Sequence, residues 1–264
     1  RHRLSRLDDD TFSALWNAME RSFPLFRRYF VSKAKKLGLP KLRWCDLDAP
    51  VGDSSRNYSI EDCQAFLYRH FESFSPELRN LAKRAFENNW IDAEPRDGKR
   101  GGAFCMPVRK LEESRILANY ACNFDSVNCL AHELGHAFHN YCMKGLPMKQ
   151  RKCPMTLAET ASIMDEMIVS ESALKEAKSK EEELYILENA IASTSGVIVD
   201  IASRFLFEKE VMERRLESEL TAKELCAIME KAQKATFGDA LDPNCLGPYM
   251  WTWKTHYYFS GFKF

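Results

Sequence analysis

The sequence lacks an excess of charge of either sign, since 38 Lys and Arg residues balance 38 Asp and Glu residues. Binding to nucleic acid or to an anionic membrane surface relies on a basic excess or a basic face. The sequence also lacks a run of about 18 uncharged apolar residues, the length that a membrane-spanning helix needs. The nearest run, residues 191–207, contains Asp200 and Arg204. We therefore predict no nucleic-acid partner and no membrane span.

No C-x-x-C pair is present, and the number of cysteines, nine, is odd. Disulfide frameworks favour an even set in a short secreted chain, so reduced thiols in a cytoplasmic protein fit better. Arg1–Ser5 lacks the apolar core of a signal peptide, and the chain has no initiator Met. The chain also stops within an aromatic run, Trp251–Phe264, without a polar tail. These features predict a piece of a longer, cytoplasmic protein.

Proline is absent between Pro154 and Pro243, where apolar residues recur at steps of three and four. This spacing predicts several packed helices. Earlier in the chain, the pattern predicts a helix that begins after Asp10 or Thr11 and ends near Gly38, and two helices within residues 58–90 that are separated at Ser75-Pro76. Two short strands are predicted at residues 102–106 and 116–120. The fold class is thus mainly α, with a small β-sheet before a central helix.

That central helix carries the pattern His132-Glu133-Leu134-Gly135-His136. A step of four residues on a helix places both imidazoles on one face, where they can bind a single zinc ion. Glu133 would lie beside the metal and could take a proton from a zinc-bound water. The alternative is a buried helix with two incidental histidines.

A catalytic zinc site needs a third protein ligand. His139 is the nearest candidate, but it lacks the spacing of the extended His-x-x-Gly-x-x-His motif, and a supporting or core role suits it better. Glu159 follows His132 by 27 residues, on what would be an antiparallel second helix. Thr156-x-x-Glu159 also fits a capping box, in which the glutamate would instead accept a hydrogen bond from a backbone N–H group.

Several segments together resemble the family of oligoendopeptidase F and thimet oligopeptidase, in the oligoendopeptidase F branch. They occur in the family's order along nearly the whole chain. The segments are Asp46–Gly52, Glu94–Cys105, His132–His139, Leu157–Ser162 and Trp253–Gly261.

The resemblance implies a zincin-like helical metallopeptidase core with a deep channel for short peptides. It implies one Zn²⁺ held by His132, His136 and Glu159, with Glu133 as general base. The segment containing Gly102, Ala103 and Phe104 would be the edge strand that pairs with the substrate backbone; an ordinary hairpin strand is the alternative. His256 would position substrate or stabilise the oxyanion, unless it is only a structural residue in an aromatic patch.

Glu166 lies seven residues after Glu159, on the same helical face, so it is a candidate to support a zinc-bound histidine. A solvated helix charge is the alternative. We describe residues 1–264 as a single catalytic-domain fragment, truncated at both ends relative to the family. It comprises a helical part (1–90), a small sheet (91–124), zinc-binding helices (125–170) and a second helical part (171–264). The family's substrate-contacting tyrosines would follow Phe264, and its additional helical lobe would precede Arg1.

The sequence thus predicts a zinc metalloendopeptidase that hydrolyses short oligopeptides. A zinc-stabilised helical fragment without catalytic competence, or a binding module, shares every predicted ligand and is the main alternative. A zinc aminopeptidase ranks lower, because no Gly-x-Met-Glu-Asn-like segment is present to hold a free amine.

Overall fold

The computed structural model describes residues 6–52, 56–154, 157–254 and 257. Within them, helices dominate and a small three-stranded sheet precedes the fourth long helix. The helices are α1 (Asp9–Lys36), α2 (Ile60–Phe74), α3 (Pro76–Glu87), α4 (Phe124–Cys142), α5 (Thr160–Glu176), α6 (Lys180–Ser195), α7 (Ile201–Arg214), α8 (Ala222–Phe237) and α9 (Met250–Trp253), with a 3-10 turn at Trp44–Asp46 and a π-helical turn at Gly196–Asp200. The strands are β1 (Ile91–Asp92), β2 (Phe104–Val108) and β3 (Glu113–Leu117). The predicted fold class is confirmed.

The chain divides into two compact units. One comprises Gly52–Leu187 and holds the sheet and α2 to α5; the other comprises Arg1–Val51 together with Glu188–Phe264. The first unit has a core of buried side chains from α2, α3, α4 and α5, including Phe71, Leu78, Leu130 and Val169. The description of residues 1–264 as a single catalytic domain stays a prediction.

The second unit has its own apolar core. Phe30 on α1 and Phe237 on α8 are nearly fully buried, and their ring centroids lie 5.3 Å apart. A buried ion pair lies beside this core, where Lys33 Nζ approaches Glu188 Oε1 to 2.7 Å and also donates to the Leu47 carbonyl. The same Glu188 oxygen accepts from the Tyr29 hydroxyl, so one oxygen of the buried carboxylate has two donors.

Several boundaries differ from the sequence-based expectations. The side chain of Asp8, not Asp10 or Thr11, caps α1 by accepting from the Thr11 amide. β2 and β3 occupy residues 104–108 and 113–117 rather than 102–106 and 116–120, because the antiparallel pairing of Phe104 with Leu117 and of Val108 with Glu113 sets the register. The separation of α2 and α3 at Ser75-Pro76 agrees, with the Ser75 hydroxyl accepting from the Glu77 amide at the start of α3.

The expectation that no segment spans a membrane stays untested. The continuous helical stretch Lys180–Arg214 is long and apolar enough to cross a membrane by length and composition alone. Core helices pass the same test, and Asp200 and Arg204 in this stretch form an ion pair with each other. The absence of a membrane partner stays a prediction.

Gly135 permits the packing that assembles the candidate site. A Cβ atom at this position would lie 2.6 Å from the Ser162 Cα and 2.7 Å from the Ala161 carbonyl oxygen. Both distances are far below van der Waals contact, so α4 and α5 approach each other there along bare backbone. The start of α5, just after Glu159, is thereby held against the turn of α4 that carries His132 and His136.

We expect Gly135→Ala to lower the free energy of unfolding by about 1–3 kcal/mol, as overpacking of a tight contact does. The added methyl group must push the start of α5 away, so metal affinity should fall as well. Urea unfolding and zinc titration would measure the two effects.

Gly196→Ala is the matched control, because no atom lies within 4 Å of a Cβ built at that helical glycine. This change should be neutral or slightly stabilising. Equal effects of the two substitutions would contradict the proposed close approach.

Candidate active site

Helix α4 places the two histidines of the His-x-x-x-His step side by side. The helix begins after Asn123, whose side chain accepts from the Ser126 amide at 2.9 Å. This residue, and not the neighbouring Asp125 or Ser126, caps the helix. Nine residues after Asn123 comes His132, whose imidazole lies one turn from that of His136, with their Nε2 atoms separated by 3.1 Å. Both rings therefore present one nitrogen to the same point in space.

Glu159 joins the two histidines from the start of the next helix. Its Oε2 atom lies 3.2 Å from His132 Nε2 and 3.1 Å from His136 Nε2. It makes no capping hydrogen bond to the amides of α5, and the Ser162 hydroxyl donates to the same oxygen at 2.9 Å. The described contacts thus place this carboxylate on the histidines and not in the capping role. Thr156, the other half of that capping box, lies outside the described residues.

The three donor atoms form a nearly equilateral triangle with edges of 3.1–3.2 Å. Ligands of a tetrahedral zinc ion at about 2.0–2.2 Å are separated from one another by about 3.3–3.6 Å. A small opening of the triangle would therefore suit zinc, and the set of two imidazoles and one carboxylate is typical of catalytic zinc sites. His132, His136 and Glu159 form a candidate metal group.

Glu166 supports His132 from the opposite side of the ring. Its Oε1 contacts His132 Nδ1, and its Oε2 accepts from the Asn128 side-chain amide at 3.3 Å. This contact directs the Nε2 atom of His132 toward Glu159, as the supporting carboxylates of metal-bound histidines do. The alternative of a solvated helix charge does not fit Glu166, because its side chain is only 19% exposed. Its part in metal binding stays a prediction.

Charge interactions within the group favour a cation. Burial by itself lowers the pKa of His132, but its contacts with the Glu159 and Glu166 carboxylates outweigh burial and raise that pKa to about 10. Hydrogen bonds from His132 and His136 hold the pKa of Glu159 well below its usual range. A metal ion would compete with protons for these same atoms, so its affinity should fall in acid.

Glu133 lies beside this group without joining it. The residue is only 5% exposed, and its Oε2 atom has no hydrogen-bond partner among the described residues. Burial raises the pKa of its carboxyl group, although His132 and His136 oppose the shift. A carboxylate with a raised pKa and a free oxygen is suited to accept a proton.

The metal group opens into a cleft with β2 on one wall. Ala103, Phe104, Glu133 and His139 all line it. β2 is an edge strand, because the sheet order is β1-β3-β2. Its outer backbone groups are thus placed to pair with an extended peptide, although the pairing itself stays a prediction.

Gly102 occupies a place other than the expected one, whereas His139 does not. Gly102 precedes β2 with φ +81°, and its carbonyl accepts from the Asn119 side chain at 3.0 Å, so it shapes the entry to the strand and is not among the residues that line the cleft. His139 lines the cleft but is not part of the described metal group. His256 lies outside the described residues, so its predicted role is untested.

Sequence reasoning missed several polar residues of this region. The side-chain amide of Asn128 donates to Glu166. Asp165 is fully buried, and burial raises the pKa of its carboxyl group to about 7. The basic residues Arg109 and Arg151 line the cleft from a turn and a loop. No periodic sequence pattern marks these positions, so only the three-dimensional structure reveals them.

Comparison with known proteins agrees with this geometry. The model of peptidase family M3 matches residues 8–262. The chain belongs to peptidase family M3. Among curated members, it is 27% identical to the oligoendopeptidase F homolog of Lactococcus lactis subsp. lactis (strain IL1403) over 97% of this chain and 43% of that protein. It is 25% identical to the oligopeptidase PepF of Bacillus subtilis (strain 168) over 96% of this chain and 38% of that protein.

Among solved structures, that of PZ peptidase A with an inhibitor superimposes with a TM-score of 0.76, at 18% identity, over 98% of this chain and 47% of the other. This likeness confirms the fold of an M3 peptidase and the expected resemblance to the oligoendopeptidase F branch. The chain spans less than half the length of these relatives.

Proposed function

We propose that this M3 peptidase chain is a zinc metalloendopeptidase that hydrolyses short oligopeptides. One observation carries the proposal: two imidazole nitrogens and one carboxylate oxygen from separate segments converge within 3.2 Å of one another, beside a buried glutamate with a free oxygen. The family relationship supports peptides as the substrate class, and the L. lactis and B. subtilis relatives carry the names oligoendopeptidase and oligopeptidase.

His132, His136 and Glu159 would hold the zinc ion, and Glu166 would keep the His132 ring in place. Zinc, when bound, polarises a scissile carbonyl and lowers the pKa of water toward about 7. Glu133 would take a proton from the attacking water and later deliver it to the leaving amine. The edge strand β2 would fix the direction of the peptide through its backbone groups, and His256 would help to stabilise the oxyanion.

The short span of the chain relative to its relatives favours a second candidate, a zinc-stabilised helical fragment that does not turn over substrate. It would bind zinc with the same residues, so metal content alone does not separate the two. A cytoplasmic location and the absence of nucleic-acid and membrane partners remain part of the proposal, on the charge balance and the nine free cysteines.

Metal removal tests the proposal directly. We expect the purified chain to cleave a quenched-fluorescent peptide of about eight residues, to lose that cleavage on treatment with a chelator, and to regain it with one equivalent of zinc. The physical reason is that, among the described residues at the triad, no side chain could replace the metal in polarising the scissile carbonyl.

Zinc bound in a one-to-one ratio with no turnover would instead support the incomplete fragment. Cleavage that survives complete removal of the metal would contradict both candidates.

A further inference from the structure

Three basic side chains line the same cleft as the candidate metal group. Arg109 lies in the turn after β2, and Arg151 and Lys152 lie in the loop that leads from α4 toward Glu159. The cleft measures about 1080 Å³ with its open mouth included. Among the described residues that line it, the carboxylates are Glu133 and Glu159, and the proposed function assigns Glu159 to the metal and Glu133 to the water.

The three cations have no carboxylate partner in the described part of the chain. Two acidic residues that share a neighbouring pocket with Arg109 are engaged elsewhere, since Glu112 in the β2–β3 turn pairs with Lys144 at 2.5 Å and Glu113 at the start of β3 pairs with Arg115 at 2.8 Å. None of the described ion pairs includes Arg109, Arg151 or Lys152. These three cations give this part of the cleft an excess of positive charge.

Arg151 is held in place by its own loop. Its Nε atom donates to the Leu146 carbonyl at 2.7 Å, which leaves the two terminal nitrogens of the guanidinium without a described hydrogen bond. Arg109 makes only a long contact of 4.0 Å with the Met148 sulfur. A guanidinium anchored through Nε still offers its terminal N–H groups to a carboxylate.

The three cations and the metal group share one cleft, since His132, His136 and Glu159 line it as well. A peptide bound with its scissile bond at the triad would therefore extend past these basic residues.

We propose that Arg109, Arg151 and Lys152 select peptides that carry a carboxylate beside the scissile bond's own binding site, within the same cleft. The carboxylate is either the free C-terminus of a short peptide or the side chain of Asp or Glu. The proposal rests on the proposed function and names a substrate preference for it, because cations without a described carboxylate partner attract an anion and repel a cation.

A binding experiment tests the preference separately from hydrolysis. The zinc-loaded chain with Glu133→Gln is titrated into four fluorescein-labelled hexapeptides that share one neutral sequence. The first peptide has a free C-terminal carboxylate, and the second is the same peptide with an amidated C-terminus. The third is amidated and carries one internal Glu. The fourth is amidated and carries Lys in place of that Glu. Fluorescence anisotropy gives the affinity for each peptide.

The basic residues are then tested by the double substitution Arg109→Ala and Lys152→Ala, which spares Arg151 and its contact within the loop. The matched control is Lys110→Ala with Lys149→Ala. Each of these lysines is next to or near a cleft cation, but neither lines the cleft. The control removes the same charge from the same turn and the same loop.

We expect at least one carboxylate-bearing peptide to bind about tenfold more tightly than the Lys peptide, as two or three partly exposed charge pairs would give. The double substitution should reduce that ratio to about twofold, and the control should leave it unchanged. Tighter binding of the free-acid peptide than of its amide identifies the C-terminus as the anion, whereas tighter binding of the Glu peptide identifies a side chain.

Equal affinity for all four peptides, no binding of any of them, or a preference that survives the double substitution would overturn the proposal. A carboxylate preference in a chain that cleaves nothing would support this inference while contradicting the hydrolase. Cleavage by the parent chain without a carboxylate preference would support the hydrolase and contradict this inference.

Discussion

Replacement of Glu133 by Gln should reduce peptide cleavage by a factor of about 10²–10⁴, the contribution that a general base typically makes. The amide of Gln has nearly the shape of the carboxylate but cannot take up the proton of the attacking water. Because Glu133 is not part of the candidate metal group, zinc content should remain at one per chain. Steady-state kinetics with a quenched-fluorescent peptide and elemental analysis of the same sample would measure both quantities.

The burial of Glu133 makes this a specific test. Its carboxyl group is almost inaccessible, and its pKa is raised by burial, so the neutral amide should cost little stability there. Glu171→Gln on α5 is the control, because it makes the same chemical change at an exposed position outside the cleft. If the Glu133 variant retains its activity, or loses activity only by losing zinc, the role as general base is wrong.

Glu159→Ala should have the largest effect on metal binding. The substitution removes one of three converging donors and leaves His132 and His136 with no carboxylate between them. We expect zinc affinity to fall by more than the roughly 10–100-fold that the loss of a supporting contact costs. Competition with a chromophoric chelator would measure the affinity, and cleavage should disappear in parallel.

Glu166→Gln provides the graded comparison. This change keeps all three donors but weakens the contact with His132 Nδ1, so zinc affinity should fall within the 10–100-fold range. Equal affinities for the Glu159 variant and the unsubstituted chain would show that the carboxylate is not a ligand. If Glu166→Gln lowers zinc affinity more than Glu159→Ala does, Glu166 is the ligand and Glu159 the supporting residue.

Local sequence predicted α4 and the pairing of its two histidines well, because both depend on short-range spacing. A step of four residues brings His132 and His136 together on any helix, so their pairing required no knowledge of the fold. The helix ends were predicted less well, since several residues near each end have side chains that can cap it. Asn123 and Asp8 serve in place of neighbours that are equally suited by type.

The third member of the group shows the limit of that reasoning. Glu159 was compatible with two roles, a metal ligand and a helix cap, and spacing of 27 residues does not distinguish them. The contact between bare backbone at Gly135 and the start of α5 places the carboxylate against both imidazoles. The resemblance to a known family favoured the ligand, but the residues alone did not.

By itself, the sequence determined a mainly helical chain, a histidine pair able to share one metal ion, and a glutamate beside that pair. These features arise from helical periodicity and from the chemistry of side chains only one to four residues apart. Only the tertiary structure decided that Glu159 faces the histidines, that Glu166 contacts His132, and that three cations without a described carboxylate partner line the same cleft. Those relations join residues that are far apart along the chain, and close packing between helices and loops, not local spacing, sets their distances.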